Sequence, residues 1–419
     1  MNNNKQILFI SYDGMTDPLG QSQVIPYLIG LTKYGYHFTI LSCEKKNNFK
    51  KNHSYVKNLL DPYPIEWAPI NYHKFPPIFS SVYDYYALCR KAKRLHLKKK
   101  FALVHTRPGV PTLVALWLKK QYGLKFLNDI RGFWADERVD GGMWNLKNPI
   151  FRSVYHFFKR HELECIEKAD YNTCLTFKAK EEILSWKHQF ITNVKLEVIP
   201  CSVDLELYDS ESIDPISIRK LKSELGINKQ DFIVSYLGSV GGWYLVDEMM
   251  EFCKCMLELI PASKFLFISP HRHKYILERA SHFGIPANNI ICYAARRHEV
   301  PSLLSLSTYS IFFIKKCYSK ISSSPTKHGE IMAMGIPVIT NEGVGDVSMI
   351  VKRYNSGIVL NAMNYKTFQE TIIKIKSGLE FDKIRIREAA EEFYSLNNAI
   401  QNYLKVYRVI LGQTTDCIT

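Results

Sequence analysis

The stretch at 322–341, SSSPTKHGEIMAMGIPVITN, decides how the rest of the chain is interpreted. Ser324 is a favoured helix N-cap residue, and Pro325 suits the first helical position. Gly335 is typical of a helix end. The apolar run that follows, at 337–340, is typical of a buried parallel strand. We therefore predict a loop, a short helix and a core strand in immediate succession.

Two charged side chains lie in the first turns of this predicted helix. Lys327 and Glu330 are three residues apart, so they share one helix face. The helix N-terminus adds free backbone N–H groups and the positive end of the helix dipole. The amides and Lys327 suit the phosphates of a nucleotide, and Glu330 suits ribose hydroxyls. The alternative is a capped surface helix with a salt bridge between the two residues.

Length and composition define the class of protein. The 419 residues can form two or three domains, and 46% hydrophobic with 23% charged residues is typical of a soluble globular protein. The ten cysteines include no CxxC pair, and the first residues run directly into a strand, so we expect reduced thiols in a cytoplasmic protein. No apolar run reaches the length of a membrane span. The net charge of +15 favours an anionic partner: nucleic acid, an anionic lipid surface or phosphorylated substrates.

Apolar strands alternate with helical segments along the chain. A strand at 7–10, a helix at 24–34 and a strand at 38–41 form one βαβ unit. The same pattern begins afresh at residue 231, which predicts two doubly wound α/β domains in tandem. The predicted bounds are 1–204 for the first domain, 205–230 for a linker, 231–395 for the second domain and 396–419 for a terminal helix.

Three loops follow predicted strands, where open α/β sheets bind their ligands. The loop at 11–23 contains Gly14 and Gly20, which permit close backbone approach, and a second glycine loop lies at 238–242. The loop at 129–144, DIRGFWADERVDGGMW, combines charged, aromatic and glycine residues, so we expect part of a site there. An ion-paired loop anchored by its tryptophans is the alternative. The chain has no GxGxxG fingerprint, so a nicotinamide or flavin site is weakly supported.

A basic segment at 90–100 contains seven lysines and arginines and no acidic residue. The aromatic-rich stretch at 73–89 precedes it, with Phe75, Ile78 and Phe79. We predict a helix that lies on an anionic bilayer, and the segment at 151–162 has a similar composition. A solvated basic face over an apolar stripe is the alternative, as is a nucleic-acid-binding helix without a recognised motif. On a helix the basic and apolar residues separate to opposite sides: Arg90, Lys91, Arg94 and Lys98 on one, Leu88, Ala92 and Leu95 on the other.

Two sequence blocks resemble the family 4 glycosyltransferases. They are VIPCSVDLELY at 198–208 and HGEIMAMGIPVITNEGVGDV at 328–347, and they occur in the order found in that family. The loops at 11–24 and 131–142 resemble a subgroup from bacterial surface-polysaccharide assembly. The resemblance implies a GT-B fold: two Rossmann-like domains that face each other across a cleft, with the C-terminal helix crossing back to the first domain. It also implies retaining transfer of a sugar from a nucleotide-sugar, without a metal or another cofactor.

The resemblance assigns roles to individual residues. Glu330 matches the second glutamate of the family's E-x7-E motif, which holds the donor ribose, and Lys327 lies on the same helix facing the phosphates. Gly20 and Gln21 match the first-domain loop that approaches the donor diphosphate. The complete predicted set comprises catalytic Arg131, Asp136 and Lys327 with donor-binding Gly20, Gln21, Gly241, Gly242, Arg296, Arg297, Ser324, Lys327 and Glu330.

The sequence departs from the family pattern at several positions. Ser322 stands where the first glutamate of E-x7-E is expected, and Ser239 and Tyr244 stand where the family has basic residues. Arg131 stands in place of a histidine that the family often has in its first domain. Positive charge for the diphosphate is then expected from Lys327 together with Arg296, Arg297 or Lys320.

The expected activity is that of a hexosyltransferase with a lipid-linked saccharide as acceptor, in surface polysaccharide or glycan biosynthesis, at the cytoplasmic face of the membrane. Fixed cations and helix amides would stabilise the leaving diphosphate, so no enzymic nucleophile is needed. Asp136 would line the site or form an ion pair with Arg131 or Arg138, and Asp13 would contact the acceptor or shape a turn. The alternatives are a GT-B nucleotide-sugar epimerase and a basic, non-catalytic protein that binds membranes or nucleic acid.

Overall fold

The structure is a computed structural model that describes residues 4–186 and 193–413. The chain divides into two compact units, one formed by the residues up to 200 together with those from 396 onward, and the other by residues 201–395. The stretch at 205–230, which we expected to be a linker, lies within the second unit and contains a helix. None of the described helices is both long and apolar enough to cross a membrane.

The first unit is built on a parallel β-sheet. Its strands are β1 (Gln6–Ser11), β2 (His37–Glu44), β3 (Ile65–Trp67), β4 (Ile70–Asn71), β5 (Leu103–Thr106), β6 (Lys125–Ile130), β7 (Tyr171–Cys174) and β8 (Leu196–Val198). Their order is β3-β2-β1-β5-β6-β7-β8, and β4 pairs with β2. Because β1 lies between β2 and β5, the strand order reverses there, and the carboxyl ends of β1 and β5 flank the switch point.

Helices cover both faces of this sheet. They are α1 (Pro18–Gln23), α2 (Ile25–Thr32), α3 (Lys46–Leu60), α4 (Phe79–Lys99), α5 (Val110–Tyr122), α6 (Trp134–Asp140), α7 (Pro149–Lys168), α8 (Phe177–Ser185) and, from the chain's end, α17 (Leu396–Leu411). Ile7 and Phe9 of β1 pack on the side of α2 and α17, whereas Leu8 and Ile10 pack on the side of α4 and α5. Burial on both faces explains the continuous apolar run of β1.

The second unit has a sheet of the same kind. Its strands are β9 (Phe232–Leu237), β10 (Ser263–Ile268), β11 (Ile290–Tyr293), β12 (Tyr309–Phe312), β13 (Val338–Asn341) and β14 (Gly357–Leu360). They are all parallel, in the order β11-β10-β9-β12-β13-β14. The switch point of this sheet therefore lies at the carboxyl ends of β9 and β12.

The helices of the second unit enclose one contiguous hydrophobic core. They are α9 (Pro215–Glu224), α10 (Val246–Leu259), α11 (His273–His282), α12 (Val300–Leu304), α13 (Thr326–Ala333), α14 (Val347–Tyr354), α15 (Tyr365–Lys376) and α16 (Lys383–Tyr394), with short 3-10 helices at Ala287–Asn289, Arg297–Glu299 and Tyr318–Ser322. Ile331, Met332 and Ala333 of α13 are fully buried. This helix is therefore a core element and not a surface helix.

One detail of the predicted helices is wrong. Ser324 does not cap α13: Pro325 occupies the N-cap position, and the Ser324 hydroxyl instead accepts a 3.2 Å hydrogen bond from the backbone N–H of Cys201. The helix predicted at 24–34 is confirmed as α2, and the shorter helix α1 precedes it across a break in helical geometry at Val24, with φ −131° and ψ −64°.

Candidate functional site

Lys327 lies in the first turn of α13, with its side chain directed into the second unit. The residue is only 6% exposed. Its Nζ donates a 3.1 Å hydrogen bond to Tyr236 Oη and lies 4.2 and 3.6 Å from the ring centroids of Tyr236 and Tyr244. At Gly238, directly after β9, the backbone has φ +113° and the missing side chain leaves room for Nζ. The ammonium group is thus fixed at the carboxyl end of β9, at the switch point.

The surroundings of Lys327 disfavour its positive charge. Burial lowers the pKa of Lys327 well below its usual value, and the attraction of Glu330 opposes this shift only in part. The faces of two aromatic rings stabilise a cation, but an anion in direct contact stabilises it more strongly. Among the described residues, the groups in contact with Nζ are a phenol and two rings rather than a carboxylate. A bound phosphate would supply the missing negative charge.

Glu330 lies one turn further along α13 and is held by a distant tyrosine. Its Oε1 accepts a 2.9 Å hydrogen bond from Tyr208 Oη. Burial raises the pKa of Glu330, and the contact with Tyr208 and the charges of Arg297 and Lys327 oppose that increase. A surface helix closed by a Lys327–Glu330 salt bridge therefore does not describe α13. The carboxylate is a fixed acceptor beside the buried cation.

The two adjacent arginines that we predicted as donor ligands differ in position. Arg297 forms an ion pair with Asp204, with 3.6 Å between Nη2 and Oδ2, and its charge acts on Glu330. Arg296 is exposed, and no described contact joins its side chain to Glu330. Its backbone N–H donates to Glu299 at 2.6 Å. The structure therefore brings Arg297 to the Lys327–Glu330 group and leaves Arg296 outside it.

The glycine loop after β9 contains a cation that sequence reasoning missed. Gly241 and Gly242 have φ +83° and +64°, a conformation that favours glycine. Arg272 lies against this loop, and its Nη1 donates a 3.2 Å hydrogen bond to the Val240 carbonyl. The signal was the basic run HRHK directly after the predicted strand β10.

A second aromatic contact ties the same loop to the segment before α13. Lys320 Nζ lies 3.8 Å from the centroid of the Trp243 ring, and Lys320 is buried. Ser322, at the position expected for a family glutamate, is also buried, and its hydroxyl donates to the Ser319 carbonyl at 2.8 Å. Trp243 and its neighbour Tyr244 thus each present a ring to a buried lysine.

In the first unit, Arg131 follows β6 and enters a buried polar cluster. Its Nη2 donates to Gln23 Oε1 at 3.3 Å, and its Nη1 lies 3.5 Å from Tyr403 Oη and 4.0 Å from Asp129 Oδ1. Burial would raise the pKa of Asp129, but Arg131, His105 and Arg107 together outweigh burial and hold that pKa well below its usual range. Asp129 therefore stays ionised as the counter-charge of Arg131.

Asp136 makes different contacts from those predicted. Tyr155 donates to its Oδ1 at 2.9 Å and Lys159 donates to its Oδ2 at 2.8 Å, so both oxygens are bonded to α7. The expected ion pair with Arg131 or Arg138 is wrong, because α6 turns Asp136 towards α7. Arg138 instead stacks on the Trp134 ring at 3.3 Å, and burial lowers the pKa of Arg138 to about 10.

Gly20 and Gln21 support the loop between β1 and α1. Gly20 packs against the backbone of Gly14 and Met15, where a side chain would collide, and Gln21 donates to the Thr16 carbonyl at 3.3 Å. Sequence reasoning missed Glu44, the last residue of β2, which accepts from the backbone N–H groups of Met15 and Thr16 at 2.7 and 3.2 Å. Its signal was a single carboxylate at the end of an apolar strand.

Sequence reasoning also missed the end of β5. His105 and Arg107 are buried there, next to Asp129. The signal was HTRPG, a basic turn directly after a predicted strand. Within residues 4–186 and 193–413, no three His, Cys, Asp or Glu side chains form a group that could hold a metal ion.

Residues 217–392 match the family model described as "Glycosyl transferases group 1". The matched residues lie within the second unit and make up less than half of the chain. The match includes Lys327, Glu330 and Arg297. No curated protein matches the sequence significantly.

Solved structures resemble the chain over nearly its whole length. A glycosyltransferase from Rickettsia africae has a TM-score of 0.71 at 18% identity, with 98% of this chain and 100% of that one covered. HepE from Anabaena, solved in complex with UDP-glucose, has a TM-score of 0.68 at 13% identity, covering 96% and 99%. A structure from Listeria monocytogenes described as a UDP-N-acetylglucosamine 2-epimerase has 0.63 at 12%, covering 98% of each. The predicted fold class, GT-B with two Rossmann-like α/β units, is confirmed.

Proposed function

We propose that the chain is a retaining hexosyltransferase that moves a sugar from a nucleotide-sugar donor to a saccharide acceptor. The arrangement of Lys327 and Glu330 carries the proposal. A buried ammonium group in contact with two rings needs an anion, and a fixed carboxylate one helical turn away suits ribose hydroxyls. Both groups lie among the residues that match the group 1 glycosyltransferase family. A nucleoside diphosphate satisfies both.

The donor diphosphate would bind at Lys327 and along the glycine loop at Gly241 and Gly242, with Arg297 as a further cation. Negative charge grows on the diphosphate as its bond to the sugar carbon breaks. A cation fixed before the reaction stabilises this charge without reorganisation, and such electrostatic stabilisation is usually the largest catalytic contribution. The acceptor hydroxyl attacks the same carbon and passes its proton to the departing phosphate oxygen. This route uses no enzymic nucleophile, and we propose that it uses no metal.

Residues of the first unit would serve the acceptor. Arg131 is fixed by Gln23, Tyr403 and Asp129, so it can present its charge in one orientation. Asp136 would contribute indirectly, by holding α6 against α7, because its two carboxylate oxygens accept hydrogen bonds from Tyr155 and Lys159.

We further propose a lipid-linked acceptor at the cytoplasmic face of an anionic membrane, in surface polysaccharide or glycan biosynthesis. The start of α4 supports this proposal, because Phe75 and Phe79 are 70% and 76% exposed. Exposed aromatic side chains beside basic residues are typical of surfaces that bind anionic bilayers. The exposed basic residues of the same helix include Arg90, Arg94 and Lys98.

The first experiment tests the donor site. Thermal unfolding of the wild type is measured with UDP-, GDP- and CMP-sugars, starting with UDP-glucose, which HepE binds. A ligand at one hundred times its Kd stabilises the folded state by about 2.7 kcal/mol. We expect one nucleotide class to do so and Glu330→Ala to abolish most of the effect. Glu388→Ala, an exposed position on α16, is the control. No response of the wild type to any nucleotide-sugar would refute the proposal.

A second assay separates transfer from epimerisation, since the fold accommodates both. The donor that stabilises the protein is incubated without acceptor, and its sugar is analysed by NMR. We expect slow hydrolysis with the sugar configuration unchanged. Conversion to an epimer without acceptor would favour the epimerase alternative.

A further inference from the structure

Arg107 occupies the switch point of the first sheet. It follows β5 directly, and its backbone N–H donates a 3.1 Å hydrogen bond to the carbonyl of Ile10 at the end of β1. Its side chain is only 7% exposed. The guanidinium is therefore held between the carboxyl ends of the two strands where open α/β sheets bind ligands.

The contacts of Arg107 leave much of its guanidinium unused. Nη1 lies 3.5 Å from the Gln23 carbonyl and Nη2 lies 4.0 Å from Asp13 Oδ2, whereas Nε has no hydrogen-bond partner among the described residues. A guanidinium has five N–H donors, and buried donors are almost always satisfied. An incompletely bonded, buried arginine at a switch point indicates that another group completes it.

The charge balance around Arg107 leads to the same conclusion. Arg131 is a second buried guanidinium, and Asp129 is the buried carboxylate that faces both. Burial lowers the pKa of His105, which keeps its ring neutral. Asp13 is 49% exposed, so solvent screens its charge. The buried carboxylate nearest to Arg107 is thus also paired with Arg131, so among the described residues Arg107 has no buried anion of its own, and an uncompensated buried charge is costly.

A third arginine extends the cluster towards solvent. Arg138, stacked on Trp134, lies close enough to Asp13 that the two charges act on each other. Asp13 is therefore a half-exposed carboxylate whose charge acts on both Arg107 and Arg138. Guanidinium groups bind phosphate through paired N–H donors, and a stacked guanidinium is already oriented for such a contact.

We infer that the acceptor carries a phosphate or diphosphate group, which binds at the β1–β5 switch point to Arg107 and Arg138. This inference rests on the proposed transferase function and names the class of its acceptor. A lipid diphosphate and a soluble sugar phosphate both present this chemistry. All residues of this site belong to the first unit, and none of them is part of the Lys327 group.

Calorimetry with pyrophosphate tests the site directly. The full chain is first saturated with UDP, so that the added pyrophosphate reports a second site. We expect the wild type to bind it, Arg107→Gln to weaken binding at least about tenfold, and Arg138→Gln to weaken it similarly. Arg107→Lys should recover part of the loss. Arg219→Gln, an exposed arginine on α9, is the control and should bind as the wild type does.

Two results would overturn the inference: no pyrophosphate binding by the UDP-saturated wild type, or pyrophosphate binding by both glutamine variants that is as tight as that of the wild type. A protein that binds no UDP would instead refute the proposed donor site. If Arg107→Gln folds poorly, Arg138→Gln alone tests the site. Its UDP affinity and its melting temperature should equal those of the wild type, which shows that it is folded.

Kinetics then identify the source of the phosphate. A polyprenyl diphosphate-linked sugar, a sugar 1-phosphate and a neutral methyl glycoside are compared as acceptors. We expect Arg107→Gln to raise KM for the phosphate-bearing acceptors at least about tenfold, with a smaller change in kcat. Use of the lipid or of the soluble phosphate supports the inference in either case and decides between them. A methyl glycoside used as well as either phosphate, with the same loss in Arg107→Gln, would contradict it.

Discussion

At Lys327, burial and two tyrosine rings determine how an ammonium group behaves. The family resemblance places cations at 239 and 244, where this chain has Ser239 and Tyr244. The structure explains how the chain can function without them, because the Tyr244 ring lies 3.6 Å from Lys327 Nζ. Tyr236 is the second aromatic residue around Lys327 Nζ. Its hydroxyl accepts a hydrogen bond from Lys327 and donates one to the Ser239 carbonyl at 2.5 Å. The aromatic substitution at 244 therefore creates a face for a lysine on another element.

Nucleotide binding should be linked to protonation of Lys327. Its pKa is lowered in the free protein, and a bound diphosphate would raise it. Between these two pKa values, binding takes up about one proton, so affinity falls as pH rises through that window. Calorimetry of UDP binding at several pH values between 7 and 10, in buffers with different ionisation enthalpies, measures the uptake. Lys327→Met should abolish it, and the exposed control Lys374→Met should retain it. Equal heats in all buffers for the wild type would contradict this account.

The sequence identifies residues of the candidate site but not their partners. The spacing of Lys327 and Glu330 predicts a shared helix face, and the structure brings both to one site. Tyr208, which holds Glu330, lies far away along the chain, and no local pattern joins them. Asp136 shows the same limit, because its partner Lys159 became its neighbour only when α6 packed on α7. Local spacing predicts which face a residue shares, and tertiary packing decides what it contacts.

Helix α13 is held in place by its contact with α16. His328 and Gly329 lie against Tyr394, with 2.9 Å between His328 Nδ1 and Tyr394 Oη. A Cβ at residue 329 would lie 3.0 Å from the Tyr394 ring, so glycine permits the close approach. Because Lys327 and Glu330 flank this contact in sequence, the packing of α13 on α16 fixes the orientation of both.

The contact between α13 and α16 should make the second unit sensitive to acid. Burial lowers the pKa of His328 to about 3, so its ring is neutral in the folded state and protonates readily only after unfolding. Stability should therefore fall as pH decreases below about 6.5, with His328 contributing about 2 kcal/mol between pH 7 and pH 5. Urea unfolding at these pH values measures the slope.

His328→Gln keeps a hydrogen-bonding side chain and should remove that part of the slope. His161, whose pKa burial lowers to about 4, and His105, whose pKa burial also lowers, should maintain the remainder. His282→Gln, at an exposed position on α11, is the matched control. The same pH dependence in His328→Gln and the wild type would show that His328 is not buried in its neutral form.

Periodicity predicts the longer elements better than the short buried strands. The apolar stripe of Leu88, Ala92 and Leu95 is buried in α4, as the helical pattern indicates. Strand β7 has no such signal, because its sequence YNTC is polar. Asn172 is nevertheless buried there, where the Asn128 side chain donates to it at 2.9 Å. A side-chain ladder across the sheet replaces the apolar pattern, and only the assembled sheet reveals it.

For the whole molecule, the exposed face of α4 concentrates part of the net charge of +15 on one surface. Its buried stripe packs on the sheet of the first unit, so its basic residues must lie outward. Phe75 and Phe79 precede and begin the helix on the surface. In the proposed membrane-bound state, basic residues would draw the protein to anionic lipids over a Debye length, and aromatic rings would add apolar contact at the interface. The two contributions have different salt dependence, which allows them to be measured separately.

Vesicle sedimentation should resolve these two contributions to membrane binding. We expect binding to vesicles of phosphatidylglycerol with phosphatidylcholine, weaker binding at higher salt, and little binding to phosphatidylcholine alone. Arg90→Gln with Arg94→Gln should weaken binding by about 2 kcal/mol at low salt, at about 1 kcal/mol per basic residue, and should reduce the salt dependence. Phe75→Ser with Phe79→Ser should weaken binding at every salt concentration and leave the salt dependence in place.

Ile384→Ser, which replaces an exposed apolar side chain of the second unit, is the control for the serine pair. Equal binding to neutral and anionic vesicles would contradict the electrostatic role of α4, whereas unchanged binding by the serine pair would confine the interaction to charge alone.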